Sequence, residues 1–161
     1  MNADEIIREN NGDWNNSKDQ MRAMKEAVRK IHVCFENGIS FHQESTLVGN
    51  SILKNIKKAK ELGYLVNMYF IGLDSADLAI QRVKERVRQG GHGIAEEDIR
   101  RRYWQSLQNL KKILLVCDNV EIFDNTEKLT PVATYSHNKL VLLKKCAWLQ
   151  ELDLESLFHS S

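Results

Sequence analysis

Residues 64–73 read YLVNMYFIGL, a nearly continuous apolar run bounded by Gly63 before it and Asp74-Ser75 after it. A run of this length, bounded this way, is how a strand covered on both faces reads. The segment before it sets Ile52, Ile56, Ala59 and Leu62 on one helical face, with Lys54, Lys57, Lys58 and Lys60 elsewhere, and Gly63 supplies a stop. Before that helix, residues 39–44 are a short strand candidate. Strand, helix and strand joined this tightly predict a parallel crossover unit, and with it an α/β fold. In open sheets of that kind, ligands bind beyond the carboxyl ends of the strands. The residues from 40 to 103 place Glu44, Thr46, Asp74, Arg82, Arg86 and His92 at or just past such ends.

Working outward, Met21, Met24, Ala27, Val28, Ile31 and Phe35 recur at three- and four-residue steps. That spacing predicts an amphipathic helix over 17–37, with Ser17 as its cap and Asn37-Gly38 as its stop, lying on a sheet. Residues 1–16 read as a short turn of helix and then a loop at NNGDWNN. On the other side, Asp74-Ser75 caps a helix with Ala76, Ala79 or Ile80, Val83 and Val87 inward. QGGHG at 89–93 breaks it, and Glu96, Glu97 and Asp98 open the next helix, where acidic groups suit the dipole. Ile99, Tyr103, Leu107 and Leu110 form its stripe, and two helices hinged on a glycine loop read as a lid. A strand at 116–123, a turn at Asp124-Asn125-Thr126, a hairpin at 132–144 about His137-Asn138 and a helix at 148–158 complete the chain. Nothing in this tail suggests chemistry.

The 161 residues fit one domain with a real core, and 23 basic against 22 acidic side chains exclude adhesion to nucleic acid or anionic lipid through net charge. The longest apolar run is too short to span a bilayer, and the polar start MNADEIIRENN is no signal peptide. Three cysteines, Cys34, Cys117 and Cys146, with no CxxC spacing, fit free thiols in a reducing compartment and no zinc site. The expected location is the cytoplasm.

Arg82 and Arg86 share a helical face that points toward Arg100, Arg101 and Arg102 across the glycine loop. A ring of guanidiniums on two hinged helices suits closure over phosphate oxygens. The plainer reading of the same spacing is a solvated basic face paired to Glu85, Glu96 and Glu97. Glu44 and Thr46 can orient a substrate hydroxyl or cap a helix. His92 beside three glycines reads as exposed, and Asp4, with no strand before it, as a surface acid.

Taken together, NADE at 2–5, FHQESTLVG at 41–49, GLDSADLAIQRV at 72–83, RVRQGGHGIAEEDIRRRYWQSLQNL at 86–110 and FDNT at 123–126 resemble the zeta-toxin-like family of P-loop kinases. The resemblance implies a parallel-sheet P-loop kinase-like core with a helical lid over about 82–103 and a small C-terminal hairpin and helix over about 130–158. It implies ATP with magnesium as phosphate donor, and a sugar hydroxyl of a nucleotide sugar such as UDP-N-acetylglucosamine as acceptor. An antitoxin protein is a possible partner it implies; a membrane or nucleic acid is not. By motif, Asp4 matches the catalytic aspartate, Glu44 and Thr46 the acceptor-site E-x-T, and Arg82 an arginine of the helix before the lid. Arg86, Arg101 and Arg102 fall in the lid. The family pattern departs at one place: no Gly-Lys dipeptide occurs anywhere in the chain, so G-x-x-x-x-G-K-[ST] is missing. In the family that loop and its strand precede NADE. The expectation is therefore a single truncated kinase-like domain over 1–161, missing a strand in mid-sheet, marginal in isolation and unable to transfer phosphate. The alternative is a degenerate module that binds a nucleotide or a partner without catalysis.

Overall fold

The computed structural model describes residues 1–13, 16–91 and 93–158, apart from the side chains of residues 3 and 4. His92 lies outside the described residues, as does the middle of the NNGDWNN loop. The chain forms two compact units, residues 1–46 and 47–161.

In the first unit, α1 (Ala3–Glu9) and α2 (Ser17–Asn37) enclose a small core of Ile6, Ile7 and Ala23, with Ala27 against it. Helix α2 spans the predicted residues. Its cap is Asn16, whose side chain accepts from the Lys18 amide at 2.9 Å, and Gly38 closes it in the left-handed conformation onto the Cys34 carbonyl. The apolar stripe is only partly used: Ile31 and Cys34 are buried, whereas Met21, Met24 and Val28 are exposed.

The strand expected at 39–44 does not form. There the Glu44 amide donates to the Met1 carbonyl at 3.3 Å and the Met1 ammonium donates to the His42 carbonyl, but the segment joins no sheet. A strand is held by successive rungs along a neighbour.

The second unit contains α3 (Ser51–Glu61), β1 (Asn67–Gly72), α4 (Ala76–Arg88), α5 (Glu96–Leu114), β2 (Asn119–Asp124), β3 (Thr130–Ser136), β4 (Lys139–Leu142) and α6 (Ala147–Leu152), then a 3-10 turn at Glu155–Phe158. The sheet order is β1-β2-β3-β4. Only β1 and β2 are parallel, running from Asn67 opposite Asn119 to Gly72 opposite Asp124. The sheet is thus mixed rather than parallel, and the crossover lies between β1 and β2 through α4 and α5, not between residues 39–44 and 64–73. The hairpin at the end of the chain extends this same sheet. Its turn residues His137 and Asn138 both have positive φ, 50° and 58°, as a two-residue hairpin of the primed type requires.

Helix α5 carries the core. Leu110, Ile113 and Leu114 are completely buried against Val120, Ile122, Val132, Ala133 and Trp148, and each such side chain contributes about 1.5–3 kcal/mol. Asp118 fastens the start of β1: Lys60 Nζ lies 2.6 Å from its carboxylate and the Val66 amide donates to Oδ2 at 2.7 Å. The Lys60 hydrogen bond, then that of Val66, holds the Asp118 carboxyl below its ordinary range. The terminal helix breaks at Asp153, which adopts φ 47° and ends α6. Among the described residues no helix is long and apolar enough to cross a membrane.

Candidate functional site

The carboxyl ends of the parallel pair open on a cavity of about 300 Å³, lined among others by Asp74, Asp124, Thr126, Lys144, Lys145 and Cys146. Backbone topology dictates the place: β1 ends at Gly72 and β2 at Asp124, and both chains turn away there. The Asn125 amide donates to the Gly72 carbonyl at 2.9 Å, locking the two turns together.

Asp124 is the hub of this end. Its Oδ1 accepts from Thr126 Oγ1 at 2.6 Å, the Thr126 amide at 3.3 Å and Trp148 Nε1 at 3.1 Å. Thr126 Oγ1 in turn accepts from the Asp74 amide at 3.0 Å. With Oδ1 saturated and its carboxylate fixed by three donors, Asp124 presents Oδ2 as the acceptor that remains. Gly72 makes the arrangement possible, since a Cβ there would lie 2.3 Å from the Trp148 ring. Tyr103 spans the same end from α5, donating to the Leu73 carbonyl at 3.0 Å. Burial first, and then Asp74, pushes its phenol up to about 12, so it stays a donor at neutral pH. Cys117 is likewise pushed up to about 12, by burial and then by Asp118, and stays a thiol. Burial raises the Cys146 thiol as well, so neither is an activated nucleophile. Lys144 and Lys145 are exposed at the rim, and neither ammonium joins an ion pair within the described residues.

Of the predicted arginines, only Arg82 reaches this end: its Nη2 donates to the Thr126 carbonyl at 2.8 Å. Arg86 is exposed beside the glycine loop, where Gly91 is required because a Cβ would meet the Arg86 side chain and carbonyl at 2.8 and 2.9 Å. Arg101 is bound to Asp98 at 2.6 Å, and that hydrogen bond lowers the Asp98 carboxyl. Arg102 is half-buried on α5. Arg100 meets Asp77 at 2.6 Å and Lys84 meets Glu96 at 2.6 Å, two ion pairs that brace α4 against α5. The guanidiniums are therefore not gathered into a ring. Their acidic partners are Asp77 and Asp98, while Glu85 pairs with Arg88.

Comparison with known proteins adds one relative. The chain is 41% identical over 81 residues to an uncharacterized protein of Haemophilus influenzae, a match covering 50% of this chain and 58% of that protein. The chain thus spans less than two thirds of the relative it matches. No protein-family model matches, and no solved structure does.

In the first unit, the two motifs that bracket it are brought side by side. Asn2 Nδ2 donates to Glu44 Oε2 at 2.6 Å, across 42 positions of sequence, beside the Met1 bonds to residues 42 and 44. Thr46 is exposed two residues on. Asp4 stands in the first turn of α1, and its side chain lies outside the described residues.

The hub residues Asp124, Thr126 and Trp148, and the rim lysines, escaped the reading of sequence. Asp124 and Thr126 are legible in sequence only as a turn and as part of FDNT, with no chemistry attached. Trp148 gave no signal, because its partner is the missing Cβ of Gly72 and not a spacing pattern.

Proposed function

We propose that this chain is the acceptor-binding and lid part of a zeta-toxin-like kinase, a phosphotransferase whose acceptor is a hydroxyl of a nucleotide sugar such as UDP-N-acetylglucosamine. The observation that carries the reading is the Asn2–Glu44 hydrogen bond, which joins the NADE and E-x-T segments into one local arrangement. Arg82, held at the carboxyl end of the parallel pair, supports it. In this reading Asp4 takes the acceptor hydroxyl proton, Glu44 and Thr46 bind the acceptor, and Arg82 with Arg86, Arg101 and Arg102 belongs to the phosphate-facing lid.

ATP and magnesium, which the resemblance implies, do not fit the residues present. The helix that follows β1 has a Ser75 cap and could offer amides to phosphate, but Asp74 and Asp77 flank that turn with negative charge. No Gly-Lys cradle is available either. The 161-residue chain therefore binds the acceptor side and transfers no phosphate by itself.

Calorimetric titration tests the reading. UDP-N-acetylglucosamine binds the chain, and Glu44→Gln weakens that binding by about tenfold, the loss of one charge-assisted hydrogen bond. Absence of nucleotide-sugar binding, or magnesium-dependent ATP turnover that Asp4→Ala abolishes, sinks it. The second reading, a non-catalytic nucleotide-binding or interaction module, is favoured by the rim lysines beside the Asp124 hub. It predicts binding of a nucleotide that Lys144→Met and Lys145→Met weaken while Glu44→Gln does not.

A further inference from the structure

The cavity at the strand ends holds charges of both signs that do not meet. Asp74, Asp124 and Glu127 on one side of the balance, and Lys128, Lys144 and Lys145 on the other, line its volume of about 300 Å³, and every lining residue belongs to the unit 47–161. None of these three lysines forms an ion pair among the described residues. Elsewhere in the same unit such groups close on one another: Lys60 meets Asp118 and Lys84 meets Glu96, each at 2.6 Å.

Backbone anchoring keeps the two signs apart. Asp124 is fixed through Oδ1 by Thr126 and the buried Trp148, and the Asp74 amide donates to Thr126 Oγ1 at 3.0 Å, setting that turn beside it. The lysine pair follows β4, where the Leu143 and Lys144 amides both donate to the Val132 carbonyl, at 2.8 and 3.2 Å, and tie the turn to β3.

We propose that this cavity binds a small zwitterion, a molecule joining a primary ammonium to a phosphate monoester, with the ammonium against Asp124 and Asp74 and the phosphate against Lys144 and Lys145. The inference does not rest on the kinase reading, and it puts a smaller ligand than a nucleotide in the cavity. Charge selects the class. Three carboxylates and three ammoniums sum to zero, so a plain anion or a plain cation leaves one set of charges uncompensated, whereas a ligand carrying both signs satisfies both. Three donors occupy Oδ1 of Asp124, and its Oδ2 takes an ammonium as a charge-assisted partner. Lysine holds phosphate as a point charge, and two successive ammoniums match a dianion better than the single charge of a carboxylate. A nucleotide fits less well: no aromatic side chain among the described residues lines the cavity for a base to stack on. The volume also stands at the lower limit of ligand cavities, about 300–1,000 Å³.

Calorimetric titration of the full chain with O-phosphoethanolamine tests this, against inorganic phosphate, ethylamine and AMP. O-phosphoethanolamine should bind at least about tenfold more tightly than phosphate or ethylamine alone. Lys144→Met together with Lys145→Met should remove its advantage over ethylamine. Asp124→Asn, which keeps an oxygen acceptor and replaces the other oxygen with a donor, should remove its advantage over phosphate. Because Asp124 also holds Trp148, Asp74→Asn is measured beside it, and should lower the same advantage at unchanged urea stability. No binding of O-phosphoethanolamine, equally tight binding of inorganic phosphate, or an affinity that none of the variants changes overturns the proposal. So does binding of AMP without binding of O-phosphoethanolamine, which favours the nucleotide module instead. Nucleotide-sugar binding through Glu44 is a separate titration, and either result stands without the other.

Discussion

The sheet has two edges, and the chain treats them differently. Strand β4 is four residues long, begins with Lys139 and is joined to β3 by a tight turn through His137 and Asn138. Strand β1 is six residues long, uncharged, and carries exposed Tyr69 and Ile71 on one face. The first edge is finished in the manner of a terminal strand. The second has the composition of an interior strand, anchored firmly at both ends yet paired along one side only. Anchoring and pairing are thus separate properties: Asp118 and Trp148 hold β1 in place whether or not anything lies beside it.

Anchoring at the carboxyl end should be the more costly to disturb. Gly72→Ala drives a Cβ into the buried Trp148 ring, which cannot swing aside, and is expected to destabilise the chain by about 2–3 kcal/mol in urea unfolding. A loss below about 0.5 kcal/mol, the scale of an ordinary surface change, would show that Trp148 does not clamp β1.

At the amino end, Asp118→Asn should cost about 1–2 kcal/mol at pH 7, because Lys60 loses its partner and the Val66 amide a charged acceptor. The carboxyl is depressed in the folded chain, so its contribution is complete above the unfolded value of about 3.9 and disappears as pH falls through the folded one. The gap between wild type and Asp118→Asn therefore closes on acidification below about pH 4. A gap that stays constant with pH would refute the assignment.

The finished edge responds less. Asn138→Val puts a β-branched residue at φ 58° and removes the acceptor of the Tyr135 hydroxyl, with an expected loss of about 1 kcal/mol. Smallest of all, Val141→Lys on β4 should change stability by less than about 0.5 kcal/mol, as an exposed side chain on an edge already solvated. A larger loss there would mean that β4 is no more finished than β1.

Much of the helical content was legible. Helix α2 occupies the residues its apolar period predicts, Ser75 caps α4 as read, and His137-Asn138 makes the hairpin turn. These features are local: a period, a cap and a positive φ are each settled within a few residues. The strand at 39–44 was misread for the opposite reason, since a strand exists only beside a neighbour and a short window does not show whether a segment finds one. The candidate site divides the same way. Arg82 was marked by its helix, but its destination, the Thr126 carbonyl 44 residues away, was not. Arg100 and Arg101 read as a basic group, and only their partners decide what each does: Arg100 pairs across to Asp77 on α4, whereas Arg101 pairs with Asp98 within α5.

By itself the sequence determined the class of fold, the helices with their ends, the apolar character of residues 64–73, and three cysteines without a pairing pattern. Tertiary structure alone decided that the sheet is mixed, that Asp124 is the hub of the strand ends, and that β1 pairs with β2 alone. The physical reason is range. Helical hydrogen bonds close within four residues and leave a period in the sequence, whereas a ladder, a clamp such as Trp148 on Gly72, or a strand's place in its sheet depends on residues that only the folded chain brings together or keeps apart.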